Sequence, residues 1–255
     1  MIRELFPSVG IEIEPATSIA NERRDPPSNR PWVMTNMITT LDGAIEVDGR
    51  SGQLGGPADL EVFRALRSVA DVIIVGAATA IAEDYKPPPI DPAVAELRRT
   101  RGQSPRPTIA VVTRSLDIDP SLGLFGAVDH RPLILTVEDA PSHRRATLET
   151  VADVLTAGSR DVELSIGLGL LRGLGHRVAL VEGGPSLNGQ FIADDLIDEW
   201  NLTLSPLLIG GRSTRPAHGP MPGATGRWNL TRLWQGDDLL LGSWRRPAAN
   251  GADAR

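Results

Sequence analysis

The segment from Val178 to Phe191 limits the possible folds of this 255-residue chain more than any other. A short apolar run ends at Glu182, two glycines follow, and hydrophobic residues resume at helical spacing after Pro185. Glycines permit a tight turn, and proline suits the first turn of a helix because its missing N–H would have no partner there. The segment therefore predicts a buried strand, a tight turn and a helix start.

This turn is a candidate ligand site. In open α/β sheets, ligands bind beyond the carboxyl ends of the strands, and the free N–H groups of a helix start suit phosphates. Glu182 ends the strand beside this turn, so its carboxylate would meet a part of the ligand that donates hydrogen bonds or carries positive charge. Taken alone, Gly-Gly-Pro-Ser fits an ordinary glycine-rich loop with an exposed glutamate better.

Strand-like and helix-like segments alternate along most of the chain. Strands are predicted at 32–41, 71–76, 108–112, 133–137, 151–155, 178–181, 200–205, 228–234 and 239–244, and helices from 57 to 67, at 77–82, 163–174 and 187–193. This order predicts an α/β protein, a three-layer α/β/α sandwich with a mixed, mainly parallel sheet. We expect an N-terminal arm or loop at 1–31, a single domain at 32–246 and a C-terminal tail at 247–255. The proline-rich stretch 86–92 and the arginine-rich stretch 98–106 are predicted to be exposed connections.

Composition excludes several classes of function. The chain has no cysteine, and its four histidines lie far apart, so no metal site is expected. A net charge of −6 without a basic block argues against nucleic acid, and no apolar run reaches the roughly 20 residues of a membrane span. The charged, proline-bearing N-terminus does not fit a secretory signal, which predicts a cytoplasmic protein with small-molecule partners.

Five segments, taken together, carry a family resemblance. They are Thr39–Gly43, Glu61–Arg67, Asp71–Asp84, Thr108–Ser115, and the stretch from Val181 that continues to Gly211. In this order and spacing they resemble the reductase domain of riboflavin biosynthesis, the C-terminal half of the bifunctional deaminase/reductase RibD, which has a dihydrofolate-reductase-like fold. The resemblance spans about 32–244. A chain without cysteine cannot supply the zinc ligands of the deaminase half, so a stand-alone reductase domain is expected.

The resemblance implies an NADPH site. Its cofactor-binding positions fall on Ile38, Gln53, Thr79, Glu83, Arg114, Gly183, Gly184, Pro185, Ser186, Leu187 and Asn188. The helix start after Gly184 would offer N–H groups to the pyrophosphate, and the Gly183–Gly184 peptide is a candidate for the cis form. Arg114 has a fork of donors suited to a 2′-phosphate, which favours NADPH over NADH; an ordinary solvated arginine fits that position about as well.

The family's substrate-side positions fall on Ser51, Arg67 and Glu182. Glu182 is the first candidate for a catalytic carboxylate facing the substrate, and Asp42 is the second, although Asp-Gly is also a common turn. The arginine with which the family grips the substrate phosphate is absent from the 83–90 stretch. Lys86 is the available substitute, as a point charge without bidentate geometry.

The resemblance predicts an NADPH-dependent reductase that reduces the ribosylamino group of a 5-amino-6-(5-phosphoribosylamino)uracil-type substrate to ribityl. The altered 83–90 stretch leaves two alternatives open: a dihydrofolate or dihydropteridine reductase, and a non-catalytic NADP-binding protein. A pyrimidine or pteridine is accordingly the expected small-molecule partner. A homodimer is also expected, with Trp228, Trp234 and Trp244 offering apolar area for an interface, unless these tryptophans fill the core.

Overall fold

The computed structural model describes residues 1–223 and 225–247, in which eleven strands form one sheet. The strands are β1 (Ile2–Phe6), β2 (Glu12–Ile13), β3 (Trp32–Thr40), β4 (Val72–Gly76), β5 (Thr108–Val112), β6 (Leu133–Thr136), β7 (Asp153–Thr156), β8 (Val178–Val181), β9 (Glu199–Ser205), β10 (Asn229–Gly236) and β11 (Leu239–Arg245). Their order across the sheet is β2-β1-β10-β11-β9-β3-β8-β4-β5-β6-β7.

The sheet is mixed and mainly parallel. From β9 to β7 all neighbouring strands are parallel, whereas β11, β10, β1 and β2 continue the sheet in antiparallel pairs. The apolar residues of β4 are buried because a central parallel strand is covered on both faces. The helices are α1 (Pro15–Asn21), α2 (Pro57–Val69), α3 (Ala77–Ala82), α4 (Pro92–Thr100), α5 (Ser142–Glu149), α6 (Leu164–Gly173) and α7 (Pro185–Ala193).

The helices complete the expected fold. One buried cluster joins α6 and α7 to the sheet, and a second joins α1 and α2 to its other face. The predicted three-layer fold class is therefore confirmed. In the described part of the chain, no helix combines the length and the apolar character that crossing a membrane requires.

The N-terminal segment is more ordered than the sequence predicted. Instead of an arm or loop, it forms β1, β2 and α1, and β1 pairs antiparallel with β10. Ile2 and Ile19 are buried in the cluster below α2. The polar, proline-bearing sequence did not indicate these elements, because β1 forms its hydrogen bonds with a strand more than 200 residues away. Of the predicted tail at 247–255, residues 248–255 lie outside the described residues.

The expectation of an exposed connection at 98–106 is wrong at its start. Residues 92–100 form α4, whose first turn is capped by the Asp91 carboxylate accepting from the N–H groups of Ala93 and Val94. Arg98 is buried and donates from Nη1 to the Ala70 carbonyl oxygen at 2.7 Å. Burial lowers the pKa of Arg98 to about 10. The arginine thus joins α4 to the end of α2 rather than facing water.

A candidate reductase active site

A cavity of about 590 Å³ opens at the carboxyl ends of β3, β4 and β8. Parallel strands bring their carboxyl ends to one edge of the sheet, which is where α/β proteins bind ligands. Nine of the residues predicted from the sequence line this cavity: Ile38, Ser51, Thr79, Glu83, Glu182, Gly183, Gly184, Pro185 and Asn188. The tertiary structure therefore gathers most of the expected cofactor and substrate positions in one place.

The glycine turn has the geometry that the sequence suggested. Gly183 takes a φ of +86°, which a side chain would strain, and the Gly183–Gly184 peptide is cis. A Cβ at Gly184 would lie 2.5 Å from the Thr79 hydroxyl oxygen. The backbone N–H of Gly76 donates to the Gly183 carbonyl at 2.7 Å, which fixes the turn to the end of β4. Glycine at 183 thus permits the positive φ, and glycine at 184 lets the turn approach α3 this closely.

Glu182 is held by two other side chains. Arg67 donates from Nε to Oε1 at 2.8 Å and from Nη2 to Oε2 at 2.7 Å, and the Tyr85 hydroxyl donates to Oε2 at 2.5 Å. The Arg67 guanidinium also stacks on Phe63, 4.1 Å from the ring centre. Burial, and then the charge of Glu182, raise the pKa of Tyr85 well above its ordinary value. Glu182 is thus a fixed, buried acceptor at the cavity wall, held by hydrogen bonds from Arg67 and Tyr85.

The predicted cofactor and substrate residues contact each other across the cavity. Glu83 ends α3, and its Oε1 accepts from both the backbone N–H and the hydroxyl of Ser51, each at 3.0 Å. This pair ties the loop after β3 to the end of α3. The loop therefore forms one wall of the site.

Asn188 carries a buried acceptor at the cavity wall. Its Nδ2 donates to the Pro216 carbonyl at 2.7 Å, while among the described residues none donates to its buried Oδ1. An unpaired buried polar atom is costly unless a ligand or water satisfies it. At the N-cap of the same helix, Gly184 provides no side-chain cap, so the first-turn N–H groups face the cavity edge. These features fit a cofactor that brings hydrogen-bond donors and a phosphate.

Asp42 is not brought to this cavity. Its carboxylate accepts from the backbone N–H of Ile209 at 3.2 Å and of Gly210 at 2.6 Å, and from the Thr40 hydroxyl. These hydrogen bonds, chiefly that of Thr40, lower the pKa of Asp42. The contacts are those of the turn-forming alternative and do not place Asp42 as the second catalytic carboxylate.

Besides Arg67, which meets the site through Glu182, five further predicted positions lie outside the cavity lining. Lys86 is exposed and pairs with Asp84 at 2.9 Å instead of facing the site, so the expected substitute for the missing arginine is not in place. Arg114 is exposed beyond the end of β5 and pairs with Asp161 at 3.3 Å. The other three are Gln53, which is exposed, Ser186, whose hydroxyl lies 3.4 Å from His218 Nε2, and Leu187, which is buried in the core.

Sequence reasoning missed other residues of the lining. Asp59 in the first turn of α2, Phe63 one turn later, Glu46 and Tyr85 all line the cavity. Tyr85 falls within the 83–90 stretch that departs from the family pattern, and Asp59 stands in a recognisable helix start. Neither signal reveals which way the side chain points, because that depends on the packing of α2 against the sheet.

The cavity is acidic. Its lining contains the carboxylates of Glu46, Asp59, Glu83 and Glu182, and no lysine or arginine from the described residues. Within 1–223 and 225–247, no three histidine, aspartate or glutamate side chains are placed to hold a metal ion. The site therefore favours ligand groups that donate hydrogen bonds.

Fold and site together define a reductase that takes its hydride from a nicotinamide cofactor. Residues 31–240 match the RibD C-terminal domain family, and the chain belongs to that family. It is 33% identical over 187 residues to a 2,5-diamino-6-ribosylamino-4(3H)-pyrimidinone 5′-phosphate reductase from Methanothermobacter thermautotrophicus, which covers 73% of this chain and 82% of that protein. A protein of the same name from Archaeoglobus fulgidus is 32% identical over 189 residues, a match that covers 72% of this chain and 84% of that protein.

A solved structure shares the fold closely. The pyrimidine reductase-like protein of Corynebacterium diphtheriae superposes with a TM-score of 0.78 at 27% identity, covering 86% of this chain and 93% of that one. The predicted membership of the riboflavin-biosynthesis reductase family is thereby confirmed.

Proposed function

We propose that this chain is an NADPH-dependent reductase that converts the ribosylamino group of a pyrimidine 5′-phosphate to ribityl. The observation that carries the proposal is the cavity itself, where the Gly183–Gly184 turn and the Arg67–Glu182 pair meet. The relatives named above act on the 2,5-diaminopyrimidinone form of such a substrate. The 5-amino-uracil form suggested by the sequence differs only in the base, so both belong in the test.

Several residues would hold the cofactor. The first-turn N–H groups of α7 would meet the pyrophosphate, Asn188 Oδ1 would accept from an amide or hydroxyl, and Thr79 would contact the ribose or nicotinamide portion. Arg114, beyond the neighbouring strand end, would release Asp161 and pair with the 2′-phosphate. When bound, NADPH supplies the hydride.

The substrate side of the cavity would be formed by Ser51 and by Glu182 together with its partners Arg67 and Tyr85. Arg67 and Tyr85 keep the Glu182 carboxylate in one orientation, so its one remaining acceptor site would be available to a single N–H group of the pyrimidine. The residues lock one another by direct contact, which preorganises the site before the substrate enters.

The experiment is a reduction assay with purified protein, NADPH or NADH, and each of the two ribosylamino-pyrimidine phosphates. We expect nicotinamide oxidation with NADPH and a product heavier by two hydrogens. Cofactor binding without turnover of either pyrimidine would instead support the non-catalytic alternative.

The second candidate is the reduction of an unphosphorylated pteridine such as dihydrofolate. The acidic lining, without a basic residue among those described, favours it. Because the Arg67 fork already occupies both oxygens of Glu182, a diaminopyrimidine antifolate could not take the same two-point contact there. Dihydrofolate turnover faster than that of both pyrimidine phosphates would select this candidate.

We also propose a homodimer. Trp200, Leu202 and Trp244 lie half-buried on one face of β9 and β11 and line an open cavity of about 810 Å³ together with Trp228. A second copy would cover this apolar face, as homodimer interfaces do. Trp234 cannot take part because it is fully buried in the core, which is the alternative that the sequence left open for it.

A further inference from the structure

The reaction proposed above needs a proton donor as well as a hydride. The cavity contains four carboxyl groups and the Tyr85 hydroxyl as titratable groups. We propose that Asp59, in the first turn of α2, is the general acid that protonates the substrate during ring opening. This assignment rests on the proposed function, since it names the proton donor of that same reduction.

Asp59 does not provide the cap of its helix, although residues at its position often do. It is the third residue of α2, where a carboxylate commonly folds back to cap the helix start. Here the cap comes from elsewhere: Asp237, in the turn between β10 and β11, accepts from the Ala58 N–H at 2.8 Å. The Asp59 carboxyl lines the cavity instead.

Gly55 makes room for this orientation. A Cβ built at Gly55 would lie 2.5 Å from Asp59 Oδ2, so any larger residue there would displace the carboxyl group. On the sheet side, the Thr203 hydroxyl of β9 faces Asp59 closely enough to lower the pKa of its carboxyl group. The carboxyl group is thus confined between a glycine and one hydroxyl, with no cationic partner among the described residues.

The other acids of the cavity are less suited to donate a proton. Glu182 accepts three hydrogen bonds, two of them from a guanidinium, so both of its oxygens already have partners. Glu83 accepts two hydrogen bonds from Ser51. The Tyr85 hydroxyl already donates to Glu182. Glu46 lies in a loop, and no hydrogen bond from another described residue fixes its side chain.

The chemistry balances with one acid. Opening the ribose ring breaks the C1′–O4′ bond; O4′ takes the proton of the Asp59 carboxyl group, and the nitrogen lone pair forms a C1′=N double bond. C1′ then receives hydride from the nicotinamide cofactor, and the π pair returns to nitrogen. The substrate gains one proton and one hydride, and the Asp59 carboxylate left behind is reprotonated from water.

Burial raises the pKa of Asp59, and the nearby Thr203 hydroxyl opposes that shift. A raised pKa extends the range over which the group carries its proton, as a general acid requires. The rate at saturating substrate should therefore fall as pH rises through the pKa of Asp59. The other titratable groups that face the cavity are Glu46, Glu83, Glu182 and Tyr85. The fall in rate at high pH must therefore be assigned to Asp59 by mutation.

The test compares Asp59→Asn with Glu61→Gln, which removes an exposed carboxylate from the same helix. For Asp59→Asn we expect kcat to fall about 10²–10⁴-fold, the usual contribution of general acid catalysis, with the high-pH limb abolished. The affinities for NADPH and for the ribitylamino product, measured by calorimetry, should stay within about threefold of the wild type, because the acid acts only in the reaction.

A second pair of variants avoids changing any titratable group. Gly55→Ala should displace the Asp59 carboxyl group and lower kcat, whereas Gly173→Ala, at the end of α6, outside the cavity lining and with open space around it, should not. This pair decides the question if Asp59→Asn fails to fold.

The outcomes separate the two proposals. Turnover by the wild type with kcat and pH profile unchanged in Asp59→Asn would overturn the general-acid assignment and leave the proposed function intact. A loss confined to KM or to product affinity would also overturn it, since it would show a binding role. A folded wild type that reduces neither pyrimidine phosphate would refute the proposed function, and the assignment that rests on it.

Discussion

Arg67 and Glu182 form a two-point ion pair, with nitrogen–oxygen distances of 2.8 and 2.7 Å, that joins α2 to the end of β8. The Glu182 side chain is 3% exposed and that of Arg67 is 20% exposed, so the pair is largely shielded from solvent. It fixes the carboxylate that the sequence marked as the first catalytic candidate. The pair places this residue as an oriented acceptor rather than a free base.

Arg67→Lys should weaken catalysis, because lysine keeps the positive charge but cannot make the two parallel hydrogen bonds to Glu182. The loss of one charge-assisted hydrogen bond costs about 1.5–3 kcal/mol, which corresponds to a roughly 10- to 150-fold fall in kcat/KM. Steady-state kinetics checks this, with Arg64→Lys on the exposed face of the same helix as the control. Equal kinetics in both variants would show that the fork does not orient Glu182 for the reaction.

Arg114→Ala should weaken NADPH binding about 10- to 150-fold and leave NADH binding nearly unchanged, because only NADPH brings a 2′-phosphate. Titration calorimetry with both cofactors measures the difference. Arg160→Ala is the matched control, since it removes another exposed arginine that pairs with an aspartate. Equal losses for the two cofactors would remove the 2′-phosphate assignment.

Lys86→Ala should leave KM for the phosphorylated substrate unchanged within about twofold. Lys86 is exposed, pairs with Asp84 and does not line the cavity, and such surface pairs contribute about 0–1 kcal/mol. Kinetics with the phosphorylated and dephosphorylated substrates tests this. A KM rise for the phosphorylated form alone would show that Lys86 swings in to bind the phosphate, as the sequence suggested.

Glu199 should make stability depend on pH in the acid range. Burial opposes ionisation of this fully buried carboxyl group, but Arg24, Arg245 and Arg232 outweigh it and lower the pKa from 4.5 to about 2. The resulting stabilisation is present above the ordinary pKa of 4.5 and is lost as pH falls through about 2. Denaturant unfolding across this range should show the decline.

The substitution Glu199→Gln should cost about 3–5 kcal/mol near neutral pH, because it leaves buried arginines without their counter-charge. It should also flatten the acid dependence. Glu12→Gln, at an exposed position of β2, is the control. A loss below about 1 kcal/mol would show that Glu22, which also pairs with these arginines, suffices alone.

Light scattering should return twice the 27.3 kDa chain mass at micromolar concentration. Leu202→Asp, on the open face of β9, should give the monomer because a buried charge at an interface centre is unfavourable. Leu97→Asp replaces an exposed leucine of α4 and should leave the dimer intact. A monomeric wild type would contradict the proposed dimer.

Much of the fold could be predicted because its signals are local. The apolar run of β4, the helix after it and the strand, glycine turn and helix from Val178 onward are each specified by neighbouring residues. The cofactor-binding positions predicted on that turn and at Thr79 belong to the same segments. Periodicity and turn chemistry do not depend on the rest of the chain, so a sequence can be interpreted one segment at a time.

What the sequence by itself determined was the layered α/β fold, the family and the ligand edge of the sheet. Only the tertiary structure decided which side chains meet there. Glu182 is bound by Arg67 and Tyr85 across 115 and 97 residues of chain, and the start of the helix that carries Asp59 is capped by Asp237, 179 residues beyond Ala58. Likewise, β1 gains its place in the sheet from β10 at the other end of the chain. Such pairings depend on strand order and helix packing, which no local pattern specifies.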